Sequence, residues 1–174
     1  MALSKIDAAN FLTGTIPQGN VANASLGAVT ALPAGVGGKV LQVSNLVRAT
    51  SSQTIATTTY TDLTSLSLSI TPSSTSNKIL LVANIQANVN DNEGFGIRFL
   101  RDSTNIYDAG NQELAGHQGG ATVVLQVVNA VHIDSPSSTS AITYKVQSAT
   151  RNGTSVVFND GYYSEFYLME IAGW

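Results

Sequence analysis

The 174-residue chain contains no cysteine. That excludes a disulfide framework, a thiolate nucleophile and a cysteine-built metal cage. Charge is also scarce: Asp, Glu, Lys and Arg make up 11% of the residues, against about 25% in an ordinary globular protein. The basic residues Lys5, Lys39, Arg48, Lys78, Arg98, Arg101, Lys145 and Arg151 are scattered, and the formal net charge is −3. A surface that tracks phosphates needs clustered cations, so no nucleic-acid partner is expected. Long apolar runs are missing as well. Ile79-Leu80-Leu81-Val82-Ala83 falls far short of the ~20 residues that cross a bilayer, so no membrane insertion is expected. Met1–Asp7 has no basic stretch leading into an apolar one, and the chain is expected to be made as a soluble cytoplasmic product.

What is present is β-pattern. Ser, Thr, Asn and Gly take the place of charge between strand-forming residues, and hydrophobic residues reach 43%. Strands are expected over 40–49, 55–60, 63–70, 78–89, 94–101, 122–133, 141–149, 155–158 and 166–171, separated by turn-formers. Leu66, Leu68 and Ile70 alternate with Ser65, Ser67 and Ser69, and Ile142-Thr143-Tyr144-Lys145-Val146-Gln147 alternates likewise. Such strands have one wet face. By contrast, Lys78–Ala83 and Ala121–Val128 are apolar on both faces, which calls for a second burial partner. Asn152-Gly153 predicts a type I′ hairpin. Together these patterns predict an all-β antiparallel sandwich of about nine strands that oligomerises through one sheet.

Residues 1–38 read differently. Leu12 (with Phe11 beside it), Ile16, Val21 and Leu26 stand four or five positions apart among small residues and turns. That spacing fits neither a helix face nor β alternation. It suits an arm that lays single apolar side chains on a partner, ahead of a domain at 39–174.

Candidate chemistry is thin. Asp91 and Glu93 lie in an Asn/Gly turn, and Asp102 and Asp108 are expected in loops, as solvated residues rather than an acid/base pair. No Gly-x-Ser-x-Gly elbow occurs, and Gly94-Phe95-Gly96 lacks the Lys and helix start of a phosphate loop. His117 and His132 have no second ligand at metal spacing. No catalytic residue, metal or cofactor is therefore expected. For binding, Asn159-Asp160-Gly161-Tyr162-Tyr163 combines rings with amide and carboxylate groups, a mixture suited to glycans. Tyr107, Asp108 and His117 fall in 101–117, the longest stretch without clear alternation, where a functional loop is expected. Trp174 is expected to anchor an interface or the core.

Leu63–Leu80, Gly94–Asp102, Asp134-Ser135-Pro136, Ala141–Gln147 and Leu168–Ile171 together resemble a C-terminal domain of tail-fibre and other virion-appendage proteins of marine and cyanobacterial bacteriophages. Leu12–Pro17 and Asn23–Leu26 resemble the segment that precedes such domains. The resemblance implies a homotrimeric knob, a jelly roll of the C1q/TNF-like kind, at the virion surface. It implies attachment to a capsid or tail protein through residues 1–38 and adhesion to a host-surface glycan or protein. The long shaft of an extended fibre is missing. That keeps a second role open, capsid decoration or cementing by a head-fibre-like knob without a receptor.

Overall fold

The computed structural model describes residues 40–49, 51–109, 112–120 and 123–173, all within one compact unit, Gly38–Trp174. The arm residues Phe11, Leu12, Ile16, Val21 and Leu26, and Trp174, lie outside the described residues. Among the described residues eleven strands form: β1 Val40–Ala49, β2 Gln53–Ile55, β3 Thr61–Ile70, β4 Lys78–Asn90, β5 Glu93–Arg101, β6 Thr104–Ala109, β7 Ala115–His117, β8 Val123–Asp134, β9 Ile142–Thr150, β10 Val156–Phe158 and β11 Ser164–Ile171. All their pairings are antiparallel.

Three pairs of strands run end to end. β10 and β11 lie along the same side of β4, at 87–89 and 78–84 respectively. β1 and β2 continue one another beside them. β7 and β6 do the same along β5. Counted as eight continuous paths, the first sheet is β1/β2–β11/β10–β4–β8 and the second is β3–β9–β5–β6/β7. The order by path is 1-8-3-6 over 2-7-4-5, the connectivity of a jelly roll. Every connection but one changes sheet. The exception is the hairpin β5–β6, turned by Asp102-Ser103 with Arg101 opposite Thr104.

Alternation builds the core. β4 buries Ile79, Leu81, Ala83, Ile85, Ala87 and Val89; β9 buries Ile142, Tyr144 and Val146; β11 buries Phe166 and Leu168. In β3 the register slips between Asp62 and Ser67. This bulge changes the parity, so both Leu63 and Leu66 reach the core. Phe95 meets Phe158 edge-on at 5.3 Å, tying the two sheets. A stack of Phe166, Phe99, Tyr107 and His132, with centroids 5.0–5.9 Å apart, fills the side between β6 and β8.

Three expectations are corrected here. The stretch 101–117 is largely strand: β6 and β7 occupy most of it and cover the edge of β5. Asn152-Gly153 is no hairpin turn, because it joins β9 of one sheet to β10 of the other. Only Gly153, at φ 78°, takes positive φ there, whereas a type I′ turn requires it at both central residues. The fully buried Glu93 organises this crossing, its carboxylate accepting from the backbone N–H groups of Gly94, Asn152 and Thr154. The expected strand 55–60 also fails: β2 spans Gln53–Ile55, so the two share only Ile55.

Candidate contact surface

The two ends of the sandwich differ. Val40 pairs with Ile171, so the chain enters the head and finishes its last strand at one end. The loops 71–77, 102–103 and 135–141 lie there too. Two buried carboxylates lock this end. Glu170, 1% exposed, accepts from the Asn77 amide, the Ser73 N–H and hydroxyl, and the Gln42 amide at 2.6–2.8 Å. Burial opposes its charge, but those hydrogen bonds, Asn77 foremost, outweigh it and hold the carboxyl below the ordinary range. Asp134 takes the Tyr144 hydroxyl at 2.7 Å and Arg101 at 3.0 Å. Burial, then Asp134, pushes the Tyr144 phenol strongly up.

The opposite end carries loops 56–60, 91–92, 118–120 and 151–155. They are tied to one another: Gly119 N–H donates to Asp91, and Asn152 and Arg151 donate to the Asn92 carbonyl. His117 Nε2 stands 3.6 Å from Asp91 Oδ1. Among the described residues no group of three metal-ligand side chains gathers.

The outer faces of the sheets differ more. On the second sheet the face is polar. Arg98 lies over the Tyr60 ring at 3.5 Å and pairs with Asp108, which also accepts from the Tyr60 hydroxyl. Burial, then Asp108, raises the Tyr60 phenol. Asp62 is bonded by Gln147 and Lys145, and Gln147 contributes most to holding it below its usual value against desolvation. A shallow cleft beside the β3 bulge is lined by Asp62, Leu63, Thr64, Ser67 and Lys145.

On the first sheet the outer face is apolar. Cross-strand register places Val43, Met169, Leu80 and Ile133 in one row, and Asn45, Tyr167, Val82 and Val131 in the next. Glu165, Asn84 and Asn129 form a polar row. Beyond it, Val127, Leu125 and Val123 continue along β8 beside Gln86, Asn88 and Asn90. Among the described residues β8 pairs only with β4, and its outward apolar residues are between 39% exposed (Leu125) and 54% exposed (Val127).

The residues singled out for binding do not converge. Tyr107 points inward, its ring faces taken by Phe99 and His132. Asp108 is engaged with Arg98 and Tyr60 on the second sheet, and His117 sits at the loop-bearing end. Asn159 is buried, its amide donating to the Ser51 carbonyl and the Ser65 hydroxyl. Asp160 accepts from Asn88, which sets the 159–163 loop beside the outer face of β4, with Tyr162 and Tyr163 exposed. Sequence reading missed the Arg98–Asp108 pair. Its signal was there: the two flank Asp102-Ser103 almost symmetrically, as opposite charges across a hairpin do.

No protein-family model and no curated protein sequence matches the chain. Among solved structures it is similar to infectious bursal disease virus VP2 in its subviral particle, with TM-score 0.41 and 11% identity over 76% of this chain and 38% of that one. A mutant VP2 of the same virus, in derived particles, gives TM-score 0.39 and 12% identity over 76% of this chain and 36% of that one. The chain thus spans well under half the length of either VP2 chain. A likeness this loose carries no functional weight. Among the described residues no helix is long and apolar enough to cross a membrane.

Proposed function

We propose that this chain is a non-enzymatic virion surface protein, a homotrimeric knob of the C1q/TNF-like kind. Residues 1–38 mount it on a capsid or tail protein, and the jelly-roll head contacts a host-surface glycan or protein. The observation that carries the reading is the polarity of the head. The chain enters at Val40 beside Ile171, and the loops at 56–60, 91–92, 118–120 and 151–155 lie at the other end, where an outward contact is made. Exposed Tyr162 and Tyr163 stand on the flank toward that end. Many copies on one particle would turn weak single contacts into firm attachment.

A second reading, capsid decoration without a receptor, is favoured by one feature. The loops at the far end spend their polar groups on each other, as in the Asn152 and Arg151 bonds to Asn92.

Electron microscopy of particles carrying the full chain, and of particles made with residues 1–38 deleted, tests both readings. Density at the tail with heads outward supports adhesion; density on the capsid lattice supports decoration. Loss of the density on deletion, with the truncated chain still folded, is expected in either case. Retention of the density after deletion overturns mounting by the arm.

A further inference from the structure

We infer that the cleft beside the β3 bulge, lined by Asp62, Leu63, Thr64, Ser67 and Lys145, binds one ring of a neutral saccharide through its hydroxyl groups. The inference deepens the adhesion reading above, rests on that reading for its role, and names where a glycan would be held.

The backbone makes the hollow. Asp62 faces Gln147 and Ser67 faces Lys145 across the β3–β9 ladder, so residues 63–66 stand against Val146 alone. An ordinary bulge sets two residues against one, and bulges beside functional sites re-aim side chains. This one leaves Asp62, Thr64 and Ser67 on the outer side while Leu63 and Leu66 stay in the core. Side chains from elsewhere hold its shape. Gln53 on β2 donates to the Asp62 carbonyl at 2.8 Å and accepts from the Thr64 N–H at 2.9 Å, and Asn159 donates to the Ser65 hydroxyl at 3.2 Å. A hollow fixed in this way needs little ordering when a ligand enters. β3 follows the 56–60 loop, which puts the cleft toward the end proposed to face outward.

The polar groups match a hydroxyl-rich ligand better than a charged one. Asp62 Oδ1 accepts from Gln147 at 2.7 Å and Oδ2 from Lys145 at 3.1 Å. A carboxylate has about four acceptor positions and an ammonium group three donors, so both keep capacity to spare. The Thr64 hydroxyl donates to Gln53 at 3.2 Å and keeps its acceptor positions. Each sugar hydroxyl donates and accepts at once. Two on adjacent carbons suit a carboxylate oxygen and an ammonium group that already touch. Asp62 and Lys145 also cancel: an anion drawn to Lys145 meets Asp62, and a cation drawn to Asp62 meets Lys145. Size agrees, since the cleft holds about 240 Å³, below the ~300–1,000 Å³ of sites for drug-sized ligands. Leu63 is 2% exposed, so apolar contact adds little and a single site is weak. Many copies on one particle compensate for that.

The test is saturation-transfer NMR on the full chain. The probes are the methyl glycosides of glucose, galactose, mannose, fucose and rhamnose, with N-acetylglucosamine. At least one is expected to bind with Kd about 1 mM, and glucuronate and glucosamine at least about tenfold more weakly. Asp62→Ala and Lys145→Ala are each expected to weaken binding about tenfold, the effect of one lost charged hydrogen bond. Ser67→Leu, which fills the cleft from an exposed position, is expected to abolish it. Thr143→Ala, outside the cleft, is expected to leave it unchanged. Circular dichroism checks that each variant folds, and Ser67→Leu decides alone if the charge variants do not.

Binding of no probe overturns the inference, and so does binding that survives Ser67→Leu. Tighter binding of glucuronate or glucosamine overturns it as well. Binding kept in Ser67→Leu but lost in Tyr162→Ala places the sugar on the 159–163 loop, which overturns the cleft and leaves adhesion standing. Adsorption of particles to host cells is scored separately. A cleft that binds sugar, on particles whose adsorption is indifferent to Ser67→Leu, keeps the site and removes its role in adhesion.

Discussion

The two sheets have the same alternation on their inner sides and opposite characters on their outer sides. On β9, Thr143, Lys145 and Gln147 face out, and the latter two bond Asp62 on the neighbouring strand. On β8 the corresponding positions are Val127, Val131 and Ile133, each about half exposed. The inner pattern tells how the strands fold; the outer pattern tells what the folded head meets. One outer face pairs its charged side chains within the chain, and the other leaves apolar side chains exposed.

Breaking what the two sheets share gives the largest effect. Phe99 stacks on Phe166 from the first sheet and on Tyr107 from its own. Phe99→Ala should cost about 4 kcal/mol in chemical denaturation, by lost burial and a residual cavity.

Next comes the lock at the chain-entry end. Glu170→Ala leaves donors from Asn77, Ser73 and Gln42 without their acceptor and should cost about 3 kcal/mol. The sign of the pH effect follows from the depressed carboxyl. The unfolded group titrates near its ordinary 4.5 and the folded one lower. Its stabilisation is therefore complete above that value and is lost as pH falls through the folded value. Thermal melts from neutral pH down to acid should show this loss in wild type and a flatter profile in Glu170→Gln.

A smaller break is confined to the self-finished face. A Cβ at Gly96 would fall 2.6 Å from the Tyr60 hydroxyl and 2.7 Å from the Gln112 Cα. Gly96→Ala should thus cost about 2 kcal/mol and loosen the cover of the second sheet, read as faster amide exchange in 56–60. The mildest change sharpens the contrast. Thr143→Val with Lys145→Val should alter stability by less than about 0.5 kcal/mol, since the Lys145–Asp62 pair is part-exposed. It should nonetheless give the second sheet a sticky outer face, seen as a rising mass at high concentration.

Much of this was legible in the sequence. The alternation at 65–70 and 142–147 set Leu66, Leu68 and Ile70, and Ile142, Tyr144 and Val146, on one face of their strands; all are buried except Leu68, which is half-buried against the core. The double apolarity of 121–128 marked the strand whose outer side is uncovered. What was illegible lacked a local cause. β6 and β7 are short, polar-facing edge strands held by their pairing to β5, and nothing within 104–117 alternates strongly enough to declare them. Asn152-Gly153 misled because its turn is shaped by Glu93, some sixty positions earlier, rather than by two flanking strands. Tyr107 read as a loop ring because the Phe99 and His132 that sandwich it come from other strands.

The change of sheet at nearly every connection bears on how the head comes into being. β1 pairs with β11, so Val40 meets Ile171 only after almost the whole domain has been synthesised. Apart from the β5–β6 hairpin, little can form from neighbours along the chain, and folding of such non-local topologies takes about milliseconds to seconds. The centre of the first sheet, β4 with β11 on one side, closes last of all during synthesis. The proposed homotrimer would then assemble only once the last strand is made, which protects the growing polypeptide from joining its neighbours too early.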